Sequence, residues 1–596
     1  MRPSTQLRIL GLRRGLRPAP FRFAGFSRLA RRFRLGISLG LWLSLGVALP
    51  IAHAQGGAAP PAVPEQAQEA PALFIKSAPP AKELIAVEMA NYPPNLALTM
   101  TSLQGIVNRI EPRLFLLSGP YDAHWADWFV SRGDVERVRR LDSIQGLQLI
   151  EEFRDELAGQ VVVDPAVPAT INVATMLAGL DRLLITYPNY ADNYARRYNL
   201  PVVEDLRGRF ASNAEAYRWA MENLWPRLNH HALAMLHPSI IVLRDFLIQQ
   251  NIFVWWQSGT SDGPDLALRF EELQVTHEVL RKSPANIPVL GYPWAGDGVG
   301  PGEHGGVSLF SEYGKFLLPS DHAANLSVHV NARPAAPGVL QNPQDLPGRA
   351  VPEPDPAKAY ISVLMSDGDN IQALINYFPR YWKDSPPRTA PVAWTISPAA
   401  LDLIPAVVDY YAAVRLPGDY FLASVSGIGY VYLDRYGKST ADPQAALDGF
   451  LSLTRNYMER MGLAMIWPMV PQGAVPEQTL RQYAEKIEFL TAIFPDYGQK
   501  VGRYEEANRL LAAGGREIPV FHAIGGGTPF AASIRSALQG APRPAFAHAF
   551  ALNWNVHPLD LANLERTLGE GFAVVSPADL ARMFLSHHRA EQESRQ

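Results

Sequence analysis

The chain has 596 residues, 47% hydrophobic, 19% charged and 10% aromatic, with 54 basic and 57 acidic side chains. That length is too great for one core and the composition is that of a globular protein, which excludes fibrous and disordered classes. The count of zero cysteines excludes disulfides, thiolate metal sites and a cysteine nucleophile together.

The amino terminus reads as an export signal. Residues 1–34 carry ten arginines and no acidic residue, and 35–51 is a 17-residue apolar run interrupted by Gly36, Gly40, Gly46 and Pro50. Ala52, His53 and Ala54 supply small residues for cleavage, so a signal peptide is expected over 1–54 and a periplasmic or extracellular location follows. The run falls short of the roughly 20 apolar residues that span a bilayer, so no stable membrane span is expected after cleavage. Losing ten arginines takes the basic count from 54 to 44 against 57 acidic residues, a net of about −13. No basic cluster survives that loss, so nucleic acid is not an expected partner.

Residues 55–82, rich in Ala, Pro, Gln and Gly, read as a tether. Short β-branched runs then alternate with helical stretches: 84–89, 114–117, 161–164, 183–187, 253–256 and 287–292. The alternation predicts small α/β units over 83–157, 158–232 and 233–345. Seven prolines in 332–358 mark a linker. Beyond it, eight strand candidates lie at 359–365, 391–396, 420–425, 463–467, 489–493, 518–523, 546–551 and 572–575. With helical periodicity between most of them, this pattern predicts a (β/α)7–8 TIM-like barrel over 356–590.

Such barrels carry their sites on the carboxyl rim. Asp367 and Asp369 follow the first strand and in extended backbone share one side, with Gly368 between them. Two close carboxyls can divide acid and base roles or together hold a hard cation; Asn370 beside them makes Asp-Gly-Asp-Asn good turn and helix-cap chemistry as well. Asp496, after the fifth strand and followed by Tyr497, is a candidate for the opposing carboxyl that glycoside hydrolysis needs. Ser426, Gly427 and Gly429 follow the third strand; without a third glycine or a Lys-Ser/Thr this is no phosphate loop, and its glycines suit close approach to a ligand. Trp394, Tyr430, Tyr432 and Trp554 offer stacking faces or core filling. His522 lies inside an apolar strand, as core histidines do, whereas His557 lies in a loop at the rim. The fourth strand, ending at Trp467 and Pro468, carries no glutamate, so an acid must come from elsewhere. In the amino-terminal half, 102–109 stands out, and the polar, glycine-rich stretch 303–314 suits a loop reaching the barrel mouth.

GIGYVY at 427–432, SLQGIVNR at 102–109 and MSDGDN at 365–370 together resemble the GxGYxYP family. Leu433 stands where the motif has its final proline. The resemblance covers nearly all of the mature chain and implies small α/β units preceding a barrel-like glycoside hydrolase domain that acts on a carbohydrate. The expected function is therefore an exported glycoside hydrolase needing no cofactor, with Asp367, Asp369 and Asp496 as catalytic carboxyls. Two other readings fit the same residues. One is a carbohydrate esterase or deacetylase in which Asp367 and Asp369 with His522 or His557 hold a divalent cation; the other is a non-catalytic glycan-binding protein.

Overall fold

The computed structural model describes residues 73–259, 266–295, 298–346, 348–350, 352–498 and 504–595. The expected signal peptide and most of the tether lie outside the described residues. The β-branched runs of the amino-terminal half form three small parallel sheets. In the first, Glu83–Glu88 lies between Leu114–Leu117 and Arg137–Leu141. The second places Gly159–Val162 between Leu183–Thr186 and Val202–Asp205. The third has four strands, in the order Phe316–Pro319, Pro288–Gly291, Asn229–Met235 and Ile252–Trp255.

Parallel neighbours need crossover connections, and the helical segments supply them. Helix Pro94–Asn108 contains most of the 102–109 motif and is buried from Ala97 to Asn108. Gly105 lets helix Arg244–Gln250 pack directly against it: a Cβ there would stand 2.7 Å from that of Ile248. Asn108 accepts the Arg113 and Leu114 backbone N–H groups and donates to Ser327, which ties the first sheet to the third unit. The motif is thus explained by packing between units.

The carboxyl-terminal part builds one larger sheet. Its strands are Ala359–Met365 (β1), Ala393–Ile396 (β2), Tyr420–Ala423 (β3), Met465–Ile466 (β4), Ala492–Ile493 (β5), Asn508–Ala513 (β6), Arg516–Phe521 (β7), Ala523–Gly525 (β8), Ala545–Ala551 (β9) and Phe572–Val574 (β10). β1 to β5 pair in parallel succession, and β9 flanks β1 along its whole length. β7 pairs with β5, while β8, one residue further along the chain, pairs with β9. The segment 516–525 therefore meets both flanks of a curled, half-barrel sheet. Among the described residues β10 pairs only with the start of β1, and β2 meets β1 only at its end, so an eight-stranded ring of the TIM kind is not what the pairing draws.

Period-two alternation assigns the two faces. On β9, Phe546, His548 and Phe550 share one side; His548 packs on Phe494 after β5, and Phe550 on Trp467 after β4. Those contacts cross the curl, so this side lines its concave interior. Trp394 of β2 pairs in register with Met365 and belongs to the convex side, against Phe378 and against Tyr381 and Trp382 of the short helix Arg380–Lys383. No helix among the described residues is long and apolar enough to cross a membrane.

Candidate active site

The loop after β1 is tied down before any ligand is considered. Gly368 donates its N–H to Thr395 Oγ1 at 3.0 Å and accepts from Ser397 N at 2.7 Å. A Cβ on Gly368 would lie 1.7 Å from the Thr395 carbonyl, so only glycine fits. Asn370 caps helix Ile371–Asn376 through Ala373 N, the helix-cap role its turn chemistry allows. Asp367 adopts φ +70°, a conformation aspartate tolerates better than most residues.

This geometry places two carboxyls in one half-buried recess. Burial pushes Asp367 up to about 6; Glu303 adds to the rise, and Ser366 Oγ, Trp554 and the Asn553 N–H hold it down. The Ser366 hydroxyl donates to Asp367 Oδ2 at 2.5 Å and accepts from Asn553 N at 3.1 Å. Asp369 is 7% exposed, and burial followed by the charge of Asp367 holds it well above the usual carboxylate range. Two adjacent acids with no paired cation among the described residues cannot both ionise cheaply, so their protons are shared unequally.

A third carboxyl acts on the recess from the third unit. Residues 303–312 are a helix rather than the expected loop, and the first residue, Glu303, acts on both Asp367 and Asp369. Tyr430 donates to Glu303 Oε1 at 2.9 Å, and Tyr292 bonds the same side chain. Tyr292 and Asp321 each lie just past the carboxyl end of a strand in the third unit. Asp321 is buried, which raises its pKa. Sequence reasoning applied the strand-end rule to the carboxyl-terminal sheet alone; applied to Pro288–Gly291 and Phe316–Pro319, it also finds Tyr292 and Asp321. Glu303 as a carboxyl had no such signal, because only tertiary packing brings its helix to the recess.

The GIGYVY loop makes that packing. Leu317 and Tyr430 exchange backbone hydrogen bonds at 3.1 and 2.9 Å as an antiparallel bridge. A Cβ on Gly429 would lie 2.5 Å from Phe316 Cδ2, and one on Gly427 (φ +107°) 2.4 Å from Thr454 Cγ2. Both glycines therefore admit protein, whereas the sequence suggested a ligand. Ser426 is spent on the same loop, its hydroxyl donating to the Val431 carbonyl.

The remaining candidates separate by exposure and partners. Tyr497, 37% exposed, stacks near Trp467, and Trp554, 39% exposed, stands edge-on to Tyr377, so both keep open faces beside the recess. Trp394 has none: it is fully buried on the convex side, and the structure does not bring it to the rim. Asp496 has both oxygens engaged, Oδ1 by Val475 N at 2.7 Å and Oδ2 by His522 Nδ1, which makes it the orienter of a buried imidazole. His557 is exposed and begins helix Pro558–Ala562 in a capping box with Asp560. Tyr432 points its hydroxyl between Tyr430 and His304.

Comparison with known proteins agrees with this architecture. Residues 357–584 match the family described as "GxGYxYP putative glycoside hydrolase C-terminal domain", 230–331 the "GxGYxYP third domain" and 157–228 the "GxGYxYP_N second domain". A crystal structure of "a putative hydrolase from Bacteroides thetaiotaomicron VPI-5482" shares the fold, with a TM-score of 0.71 at 20% identity over 86% of this chain and 96% of that one. No curated protein matches in sequence.

Proposed function

The chain belongs to the GxGYxYP family, and from that premise we propose that it is an exported hydrolase of glycosidic bonds whose working carboxyls are Asp367 and Glu303. The observation that carries this reading is the meeting of three carboxyls from two units beside the open rings of Tyr497 and Trp554. Glycoside hydrolysis uses two carboxyls flanking the scissile bond, and aromatic faces suit the apolar faces of sugar rings. Asp367 is the half-buried member of its pair and has donors that stabilise its anion, so it serves as the carboxylate. Asp369, deeper and held protonated, keeps the pair singly charged. Glu303, from the third unit, supplies the glutamate that the fourth strand lacks. The curl is read as a seven-stranded barrel, with β7 and β8 acting as one strand and the recess at its mouth.

The test is turnover of a panel of oligosaccharides and acetylated sugars by the mature protein, with and without chelator, beside Asp367→Asn and Glu303→Gln. Chelator-resistant glycosidic cleavage lost in both variants supports the reading. Chelator-sensitive deacetylation would replace it with a metal-dependent esterase, and binding without turnover with a glycan-binding protein. Recovery of the protein outside the cytoplasm, beginning at Gln55, tests export.

A further inference from the structure

The Tyr430 hydroxyl donates to Glu303 Oε1 at 2.9 Å, lies 3.1 Å from the Tyr432 hydroxyl, and that hydroxyl in turn bonds His304 Nδ1. Both tyrosine side chains are buried, whereas His304 is exposed and lines a cleft of about 380 Å3 with Ser308, Asp434, Arg435 and Gln472. A continuous chain of polar hydrogens thus runs from solvent to a carboxyl of the recess.

The direction of that chain follows from donor counting. A carboxylate only accepts, so the single hydrogen of Tyr430 is committed to Glu303, and its oxygen must accept from Tyr432. The single hydrogen of Tyr432 is then committed in turn, and its oxygen must accept from His304 Nδ1–H. Every link points toward Glu303. We propose that Tyr430, Tyr432 and His304 form a proton relay that connects the Glu303 carboxyl to solvent, with the imidazole as its outer gate.

Resting on the hydrolase reading above, the relay supplies the proton that Glu303 delivers to the departing sugar oxygen. A solvent proton binds His304 Nε2; the Nδ1 proton passes to Tyr432, the Tyr432 proton to Tyr430, and the Tyr430 proton to Glu303. Each O–H or N–H bond broken is matched by one formed, both tyrosines end neutral, and the imidazole is left as its Nε2–H tautomer. Running backward, the relay drains a proton taken from water. Burial holds both tyrosines above the usual phenol range, so the protons move in concert rather than through a free tyrosinate. Glu303 is faced by Tyr292, Tyr430, Asp367, Asp369 and Tyr497, and His304 by Tyr432 with Asp434 and Arg435 in the same cleft.

Within this network the Gly-x-Gly-Tyr-x-Tyr motif has two parts. Gly429 seats the loop on Phe316 of the third unit and Gly427 seats it on Thr454 of helix Pro443–Met461, and its tyrosines, two apart in sequence, carry the relay.

The tautomer of His304 tests the proposal without any substrate. In full-length protein labelled with 15N-histidine, the His304 signal is assigned by its loss in His304→Gln. Wild type should show neutral His304 as the Nδ1–H tautomer, and Tyr432→Phe should return it to the Nε2–H form that free histidine prefers. An Nε2–H tautomer in wild type, or one unchanged by Tyr432→Phe, overturns the relay. On a cleaved glycan, Tyr432→Phe and His304→Gln should each lower kcat by about ten-fold or more and reshape its pH profile, with KM within about two-fold. If no glycan is cleaved, the functional reading fails while the tautomer still decides the relay. Cleavage with full kcat in both variants overturns the relay alone.

Discussion

Asp367 and Asp496 follow strands of the same sheet, both adopt positive φ (+70° and +81°), and both sit in loops that end in aromatic contacts, yet they have opposite surroundings. Asp496 is enclosed: one oxygen takes a backbone N–H, the other a buried imidazole, and its carbonyl takes the Trp467 indole N–H at 2.8 Å. Asp367 has donors on one side only and faces further carboxyls on the other, so its charge is opposed rather than neutralised. A carboxyl whose two oxygens are both engaged by the fold builds structure; one left among like charges is poised to exchange protons with a ligand. Sequence spacing sees two rim aspartates, and only their partners tell them apart.

The sharpest way to break that contrast is to remove each carboxyl in turn. Asp367→Asn should lower kcat/KM on any cleaved glycan by about 1,000-fold or more, roughly 4 kcal/mol, with no loss of thermal stability. Asp496→Ala should do the reverse, destabilising the fold by about 3 kcal/mol through the unpaired His522, as measured by denaturant unfolding. A collapse of stability in Asp367→Asn would move that residue to the structural side of the comparison. A milder perturbation tests the seam that brings Glu303 across: Gly429→Ala forces a side chain to 2.5 Å from Phe316 and should cost about 1–3 kcal/mol. Because it unseats Tyr430 from Glu303, its activity loss should exceed what the stability change accounts for.

How much of this was legible beforehand follows from which interactions are local. Because alternation and spacing are properties of short windows, the helical and strand periods exposed six of the strands in the amino-terminal sheets and the run β1 to β5 of the curled sheet, while Arg137–Leu141, Val202–Asp205, Asn229–Met235 and Phe316–Pro319 went unmarked. MSDGDN was recognisable as site or turn because Asp, Gly and Asn carry that chemistry within five residues. What stayed hidden is long-range. Trp394 and Tyr497 look equivalent in sequence, but register puts the first against the short helix Arg380–Lys383 and leaves the second open. Asp496 read as a free acid because its satisfying groups, Val475 N and His522, lie 21 and 26 residues away. The 303–314 stretch, expected as a loop, is largely a helix, and Glu303 is brought to Asp367 and Asp369 by the long-range bridge between Leu317 and Tyr430.

The smallest expected effect concerns pH. An acid whose folded pKa lies above its unfolded value binds protons more tightly when folded, so the native state loses stability as pH rises from the unfolded pKa through the folded one. For Asp367 that window runs from the ordinary aspartate value to about 6, and for Asp369 it extends further upward. Asp369→Asn should therefore flatten the fall in melting temperature above about pH 4 and leave the variant about 2–4 °C more stable than wild type at pH 7, as read by calorimetry. Asp496, with both oxygens bonded to Val475 N and His522, should give no such gain when changed to Asn; an equal rise there would mean that partners do not separate the two aspartates after all.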